Sequence, residues 1–129
     1  MRYDEVVTYC LAKPGATPDE PWPEDLVVKV GGKIFAFLGG DDAMGIKCGP
    51  TQAAAAEWRE RYPDAVSVMA YIGRYGWNSV TLDGTVPGPE VRELIDASYA
   101  DVVSRLPKSK RPPGTARPLA DEKFLTLIS

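Results

Sequence analysis

The sequence contains no histidine among its 129 residues. Histidine is the side chain most often used as a general base, as the partner of a nucleophile and as a transition-metal ligand near neutral pH. Its absence excludes Ser-His-Asp and Cys-His mechanisms. The glycine pairs lack the spacing of a phosphate-binding loop, and no catalytic signature stands elsewhere. We therefore expect no enzyme activity and no cofactor.

Cysteine is scarce as well, since Cys10 and Cys48 are the two in the chain. They fall on a predicted helix and a predicted strand, without CxxC spacing or a secretory context that favours a disulfide. Free cysteine is among the most buried residue types, so we expect two small buried thiols. A nucleophilic role for Cys48 would need a lowered pKa and a base.

Long apolar runs are missing too. Runs such as Ile34-Phe-Ala-Phe-Leu38 are far too short to cross a bilayer, and charged Arg2, Asp4 and Glu5 stand near the N-terminus. We therefore expect a cytoplasmic protein without membrane association. With 44% hydrophobic and 26% charged residues, the chain can enclose one core, which predicts a monomeric single domain.

The net charge of -3 argues against coating nucleic acid by bulk electrostatics. The charges are unevenly distributed, however. Residues 1–25 carry six acids and two bases, whereas residues 102–120 carry five bases and no acid. A local basic surface is therefore compatible with the sequence. The acidic pairs in turns, such as Asp19-Glu20, lack the alternating ligands of a calcium loop, and we expect no metal site.

A hairpin is predicted where Gly31-Gly32 separates two strand-like runs, residues 26–30 and 33–38, because glycine tolerates positive φ in a two-residue turn. In that register Val30 faces Lys33 and Val28 faces Phe35. We expect Val28, Val30, Phe35 and Phe37 in the core, and Val27, Lys29, Ile34, Ala36 and Leu38 on the outer face.

The other predicted elements follow from periodicity and turn residues. Helices are expected over residues 3–12, 51–62 and 90–106, where Pro63-Asp64 ends the second and Pro87-Gly-Pro89 precedes the third. Further strands are expected over 43–48, 65–72 and 78–83. Alternation in the first and last of these strands places Met44, Ile46, Cys48, Val80 and Leu82 inward and Lys47, Ser79 and Thr81 outward. Residues 14–23 are rich in proline and predict a loop anchored by a buried Trp22 ring. The third helix carries its core positions at i, i+3, i+4 and i+7, namely Val91, Leu94, Ile95, Ser98, Tyr99, Val102, Val103 and Leu106.

These elements give an α+β order of α-β-β-β-α-β-β-α, with about five strands in an antiparallel sheet and the helices on one face. Residues 1–107 form the predicted domain. Residues 108–129 are expected to be a basic, proline-rich linker with a short apolar tail, whose basic run at 108–111 is an auxiliary candidate for phosphate contacts.

Several runs in this order closely resemble the MmcQ/YjbR family of small bacterial proteins over about residues 3–111: Lys29-Val-Gly-Gly-Lys33-Ile-Phe-Ala36, Ile46-Lys47-Cys48, Arg59-Glu-Arg-Tyr-Pro63, Trp77-Asn78-Ser79-Val80 and Ile95-Asp96 with Ser98-Tyr99. The resemblance implies a CyaY-like (frataxin-like) α/β fold and a DNA-binding role. Before Trp77-Asn78, where the family usually carries asparagine, basic residues and a histidine, this chain has Gly73-Arg74-Tyr75-Gly76.

For a DNA-binding module, phosphate contacts need cations, and bases need planar or hydrogen-bonding side chains. The outer sheet face and the hairpin tips would supply them from Lys29, Lys33, Lys47, Arg74, Tyr75, Trp77 and Asn78, with Tyr71 nearby. In the structural alternative, Trp77 packs under its hairpin, Asn78 caps a strand end and the lysines keep an open sheet soluble. A protein- or small-ligand-binding domain is the second functional hypothesis, because Ile34, Ala36 and Met69 would be exposed apolar residues on that face.

Overall fold

A computed structural model of the chain describes residues 1–39, 42–49, 51–70 and 72–112, with the backbone alone described at Arg74. Within these residues, three helices and six strands occur in the order α1 (Tyr3–Leu11), β1 (Thr17–Asp19), β2 (Leu26–Val30), β3 (Lys33–Leu38), β4 (Ala43–Lys47), α2 (Gln52–Arg61), β5 (Val66–Val68), β6 (Trp77–Thr81) and α3 (Gly88–Ser104). Short 3-10 turns span Gly73–Tyr75 and Lys108–Lys110.

The strands form one antiparallel sheet in the order β1-β2-β3-β4-β6-β5. This confirms the predicted α+β fold, with six strands in place of about five. The additional strand is β1, which lies in the proline-rich segment that was expected to be a loop and pairs its Pro18 with Val28. An edge strand tolerates proline because it needs partners on one side only. The prediction for Trp22 is also wrong, since its side chain is 66% exposed.

The three helices cover one face of the sheet. Val28, Ala36, Ile46 and Asn78 are successive partners across four strands and therefore share that face. They are buried together with Val6 and Cys10 of α1 and Ala55 of α2. All eight core positions predicted for the third helix are buried, seven of them within α3 and Leu106 just after it, which confirms the periodic pattern.

The β2–β3 hairpin has the predicted turn but a different register. Gly31 and Gly32 both have positive φ, and Val30 faces Lys33. The register then shifts, because Lys29 faces Ile34 and Val28 faces Ala36, so Phe35 is the extra residue of a β-bulge. Phe35 remains in the core, but the alternation after it is reversed.

Because of this reversal, Ala36 and Leu38 are fully buried although they were expected outside. Phe37, expected in the core, lies on the outer face, where its ring meets Trp77 edge to face with centroids 5.4 Å apart. Val27, which pairs with Phe37, is buried on that outer face as well. The bulge therefore moves an aromatic ring to the outside of the sheet.

Helix α3 is hydrogen-bonded into the sheet where β3 and β4 separate. The Ser98 hydroxyl donates to the carbonyl of Phe35 at 2.7 Å and accepts from the amide of Lys47 at 3.2 Å. These two backbone groups would otherwise be buried without partners. The hydroxyl thus replaces one step of the ladder and holds α3 against the β3–β4 junction.

Candidate functional site

The β2–β3 turn lies directly against the C-terminal end of α3. At Gly31, a Cβ atom would stand 2.5 Å from Leu106 Cδ1 and 3.2 Å from the carbonyl oxygen of Lys110. No side chain fits there, and Gly31 also has φ of 59°. The turn, which carries Lys33, is therefore held beside the end of the helix.

A cleft of about 190 Å³ opens at this junction and is lined by Lys33, Lys47, Trp77, Asp101, Val102, Arg105 and Leu106. Trp77, Val102 and Leu106 supply apolar wall. The other four side chains supply three positive charges and one negative charge. The cleft therefore combines an aromatic surface with a net positive charge.

Asp101 is the carboxylate that organises these charges. Its Oδ2 atom lies 2.9 Å from Lys47 Nζ and 3.0 Å from Arg105 Nε, and the Asp101 side chain is 15% exposed. Burial raises the pKa of Asp101, but hydrogen bonds from Lys47 and Arg105 together with their charges outweigh it, so the pKa lies below its usual range. Asp101 is thus a fixed anion shared by two cations.

Further cations follow α3. Lys108 and Lys110 are exposed on the second 3-10 turn. Arg111 folds back and donates to the carbonyl of Ser104, the last residue of α3, at 3.1 Å and to the carbonyl of Leu106, two residues further on, at 3.0 Å. We call Lys33, Lys47, Asp101, Arg105, Lys108, Lys110 and Arg111 together the basic end. It holds six cations and one carboxylate.

Three of the seven candidate residues predicted from sequence meet in the cleft: Lys33, Lys47 and Trp77. Lys33 is exposed and Trp77 is half-buried. Lys47 was expected to point outward, yet its side chain is 11% exposed because it turns toward Asp101 on α3. Its charge therefore reaches the cleft and not the outer face.

Lys29 lies away from this cleft and forms an ion pair with Asp19 of the neighbouring strand, with 2.7 Å between Nζ and Oδ2. The pairing leaves Lys29 half-buried and its charge locally balanced. Compared with Lys33, it has less charge to offer a phosphate.

Asn78 is fully buried, so its predicted place at a hairpin tip is wrong. Its amide group donates to the carbonyl of Ala55 at 3.0 Å, and its carbonyl oxygen accepts from Arg59 at 2.7 Å. Both bonds join α2 to β6. The sequence held a signal for this position, because Asn78 has the same parity as Val80 and Leu82, which were correctly expected inside.

The tip of the hairpin between β5 and β6 is the 3-10 turn Gly73–Tyr75. Gly76 ends it with φ of 92°, and a Cβ there would lie 2.9 Å from the carbonyl oxygen of Gly49. The Tyr75 side chain is exposed. Tyr71 and the side chain of Arg74 lie outside the described part of the chain.

Four cleft residues at the end of α3 and just after it, Asp101, Val102, Arg105 and Leu106, were not predicted as site residues. Val102 and Leu106 follow the core pattern, and Arg105 looks like a solvated charge near a helix end. One signal pointed to this region, namely the acid-free basic stretch that begins after Asp101. Residues 108–112 are also in contact with the domain and were expected to begin a linker; residues 113–129 lie outside the described part.

The outer sheet face carries a second depression, of about 380 Å³, lined by Asp25, Phe37, Gly39, Ala43, Met44, Gly45, Met69 and Ser79. Met69 covers Gly45, where a Cβ atom would lie 2.7 Å from its sulfur. Of the three apolar residues expected to be exposed on this face, Met69 and Ile34 are half-buried and Ala36 is in the core. Of the residues that the structure describes, Asp25 is the one charged residue that lines the depression, whereas four charged residues line the cleft. The depression is also more open to solvent.

Within the described residues, no three Cys, Asp or Glu side chains are grouped so that they could hold a metal ion. None of the helices in the described ranges is both long and apolar enough to span a bilayer.

Comparison with known proteins gives consistent matches. The family model described as YjbR matches residues 11–101. The chain is 32% identical over 116 residues to the "Uncharacterized protein YjbR" of Escherichia coli strain K12, covering 86% of this chain and 95% of that protein. The protein of the same name from Escherichia coli O157:H7 matches equally.

Among solved structures, the crystal structure of Deinococcus radiodurans protein DR2400, a DUF419 domain, has a similar fold. The TM-score is 0.74 at 26% identity, and the likeness covers 89% of this chain and 94% of that one. The likeness therefore extends over nearly the whole of both proteins.

Proposed function

This chain belongs to the YjbR family, and we propose that it is a DNA-binding module that contacts DNA through the basic end. The observation that carries the proposal is that six cations and one carboxylate make up the basic end of a protein whose net charge is -3. Phosphate contacts need cations in one place, and the fold brings them together from β3, β4, α3 and the turn that follows it.

Three of these cations have their charge available. Among the described residues, no carboxylate lies within salt-bridge distance of Lys33, Lys108 or Lys110. All three side chains are exposed. Lys33 follows the Gly31-Gly32 turn, and Lys108 and Lys110 stand on the 3-10 turn after α3; the two turns lie side by side because Gly31 packs closely against the Leu106 side chain and the Lys110 carbonyl.

The remaining cations are anchored in ways that suit a rigid surface. Asp101 holds Lys47 and Arg105, and the helix-end carbonyls hold Arg111. Two cations on one carboxylate leave a net positive charge. An anion at the cleft would therefore meet a preorganised positive potential from Lys47 and Arg105, whose side chains are already held in place before binding.

The test is fluorescence anisotropy of labelled DNA against the protein at two salt concentrations. Lys33→Glu and Lys108→Glu should each weaken binding and reduce the salt slope of the binding constant by about 1, as expected when one phosphate contact is lost. The matched control is Arg92→Glu, which makes the same charge change on an exposed position near the N-terminal end of α3.

Equal weakening by Arg92→Glu would show that net charge matters and the basic end does not. Absence of binding by the unaltered protein at low salt would overturn the proposal. Arg74→Ala belongs in the same series, because a large loss there would place the contact at the β5–β6 hairpin predicted from the sequence.

A second candidate is a protein- or small-ligand-binding domain that uses the outer depression. The observation that favours it is the placement of Phe37 and Met69 around Gly45 on the open face of the sheet. The apolar dye ANS should fluoresce on binding there, and Met69→Glu should lower that signal without changing DNA binding. An unchanged signal in Met69→Glu would remove this candidate.

A further inference from the structure

We infer that the cleft receives one unpaired base of a DNA strand, so that single-stranded DNA is preferred to duplex. This inference rests on the proposed function and names the class of DNA. It follows from the shape and chemistry of the cleft itself, which phosphate binding alone does not require.

The walls of the cleft suit a flat aromatic group. Trp77 lines it from β6, Val102 lines it from α3, and Leu106 lines it from the segment that follows α3. The indole is fixed in position because it also meets the ring of Phe37 at an interplanar angle of 76°. An aromatic side chain within a positively charged groove is how single-strand binding proteins hold bases irrespective of sequence.

The size of the cleft points to one base. Its volume of about 190 Å³ is below the range of roughly 300–1,000 Å³ that is typical of pockets for drug-sized ligands. A space of this size suits one flat ring system. In a duplex both faces of each base are covered by its neighbours, so a base enters a cleft only after it has been unstacked.

The charges around the cleft suit the backbone on either side of that base. Lys33 lies on the hairpin side, and Arg105, 58% exposed, lies on the helix side. Lys47 and Asp101 are the more buried charged pair of the cleft. A strand with its base between Trp77 and Leu106 would place a phosphate near each exposed cation, and every such contact releases counterions.

The experiment compares a single-stranded oligonucleotide with a blunt duplex of the same length. In a Trp22→Phe/Trp58→Phe background, Trp77 is the one remaining tryptophan, and stacking of a base should quench its fluorescence. Single-stranded DNA should bind at least about tenfold more tightly than duplex, as expected from one stacked base. Quenching should be seen with the single strand and not with the duplex.

Trp77→Leu keeps an apolar side chain against Phe37 but removes the aromatic plane, and it should lose about tenfold in single-strand affinity while its duplex affinity stays the same. Trp22→Leu, at an exposed position, is the matched control and should lose nothing. If circular dichroism shows that the Trp77→Leu protein is unfolded, Arg105→Ala replaces it in the binding assay. The quenching of Trp77 fluorescence in the Trp22→Phe/Trp58→Phe protein then remains the decisive measurement.

Equal affinity for both forms of DNA without quenching of Trp77 would overturn the inference and leave the proposed function standing. If the unaltered protein binds neither single-stranded nor duplex DNA at low salt, the inference and the proposed function are both overturned. If Lys33→Glu lowers the affinity for single-stranded DNA but the bound strand still quenches Trp77, the result supports both the inference and the proposed function.

Discussion

Two buried polar side chains, Ser98 and Asn78, join helices to the sheet. Ser98 connects α3 to β3 and β4, and Asn78 connects β6 to α2. Among the described residues, no buried side-chain nitrogen or oxygen lacks a hydrogen-bond partner. Removing one of these side chains would therefore leave its partners buried and unpaired, which costs more than the bond itself contributes.

Ser98→Ala should lower the free energy of unfolding by about 1–3 kcal/mol, because the Lys47 amide and the Phe35 carbonyl both lose their partner. Urea denaturation followed by circular dichroism measures this. The control is Ser104→Ala, whose exposed hydroxyl bonds to the carbonyl of Asp101 and should cost less than about 0.5 kcal/mol. Similar losses in both variants would contradict the role assigned to Ser98.

The two thiols are buried as the sequence predicts. Burial raises the pKa of Cys10 to about 12 and that of Cys48 to about 11. Both are therefore protonated and covered at neutral pH, and iodoacetamide should modify them only after the protein is unfolded in urea. Mass spectrometry of native and unfolded samples gives the comparison. Rapid native labelling at Cys48 would instead indicate an accessible thiolate.

Whether a single residue points toward the core could be predicted wherever the alternation of a strand or the period of a helix is unbroken. The core positions of α3 and the inward direction of Met44, Ile46 and Val80 were correct for that reason. The prediction for Asn78 was wrong because it followed the polar character of the side chain and not the position of the residue in the alternation of β6. A polar side chain can occupy a core position when the backbone and a neighbouring helix satisfy it, and only the tertiary structure supplies those partners.

Among the elements, α2 depends on its first residue. Thr51 has extended backbone geometry, and its hydroxyl accepts from the amide of Ala54 at 3.2 Å. The helix is alanine-rich and contacts the core through the buried Ala55 and the partly buried Trp58, so it buries fewer apolar side chains than α3. Its N-cap therefore matters more than it would in a strongly amphipathic helix.

Thr51→Ala should lower the free energy of unfolding by about 1 kcal/mol, whereas Thr51→Ser should stay near the parent value because serine retains the capping hydroxyl. Thermal melts of the three proteins at one concentration measure the difference. Equal destabilisation by serine and alanine would assign the effect to the threonine methyl group and not to the cap.

Element types could be predicted more reliably than their register. Gly31-Gly32, Pro63-Asp64 and Pro87-Gly-Pro89 all mark ends of elements as expected. The bulge at Phe35 has no local marker, since it arises where β3 pairs with β2 on one side and meets Ser98 on the other. Strand β1 was missed because its proline content argues against a central strand, although an edge strand can accept it.

At the scale of the whole molecule, the basic end joins segments that are far apart in sequence. Lys33, Lys47, Trp77 and the residues from Asp101 to Leu106 meet because α3 lies along β3 and β4. Sequence patterns identify charges and rings but not which of them converge. The cleft could therefore be only half predicted, from the three candidates that reach it.

Acid should destabilise the protein through its carboxylates. Asp101 has a lowered pKa in the folded state, because the hydrogen bonds and charges of Lys47 and Arg105 outweigh burial. A lowered folded pKa stabilises the fold above the unfolded value of about 3.9, and that stability is lost as the pH falls through the folded pKa.

Asp101→Asn should therefore be less stable than the parent at pH 7, and the gap between the two proteins should narrow at acidic pH. Urea denaturation at pH 7 and at about pH 3 measures both. The buried Lys47 left without its carboxylate contributes to the loss at pH 7. A gap that is the same at both pH values would show that the Asp101 charge is not linked to folding.

The bridge made by Ser98 also fixes how the protein can open. The amide hydrogen of Lys47 is held by a side chain 51 positions along the chain, not by the neighbouring strand. This amide can therefore exchange with solvent deuterium only when α3 separates from the sheet, even if β4 and β6 separate from each other more often. The exchange rate of this one amide therefore reports how often α3 separates from the sheet, and DNA bound across the cleft would lower that rate.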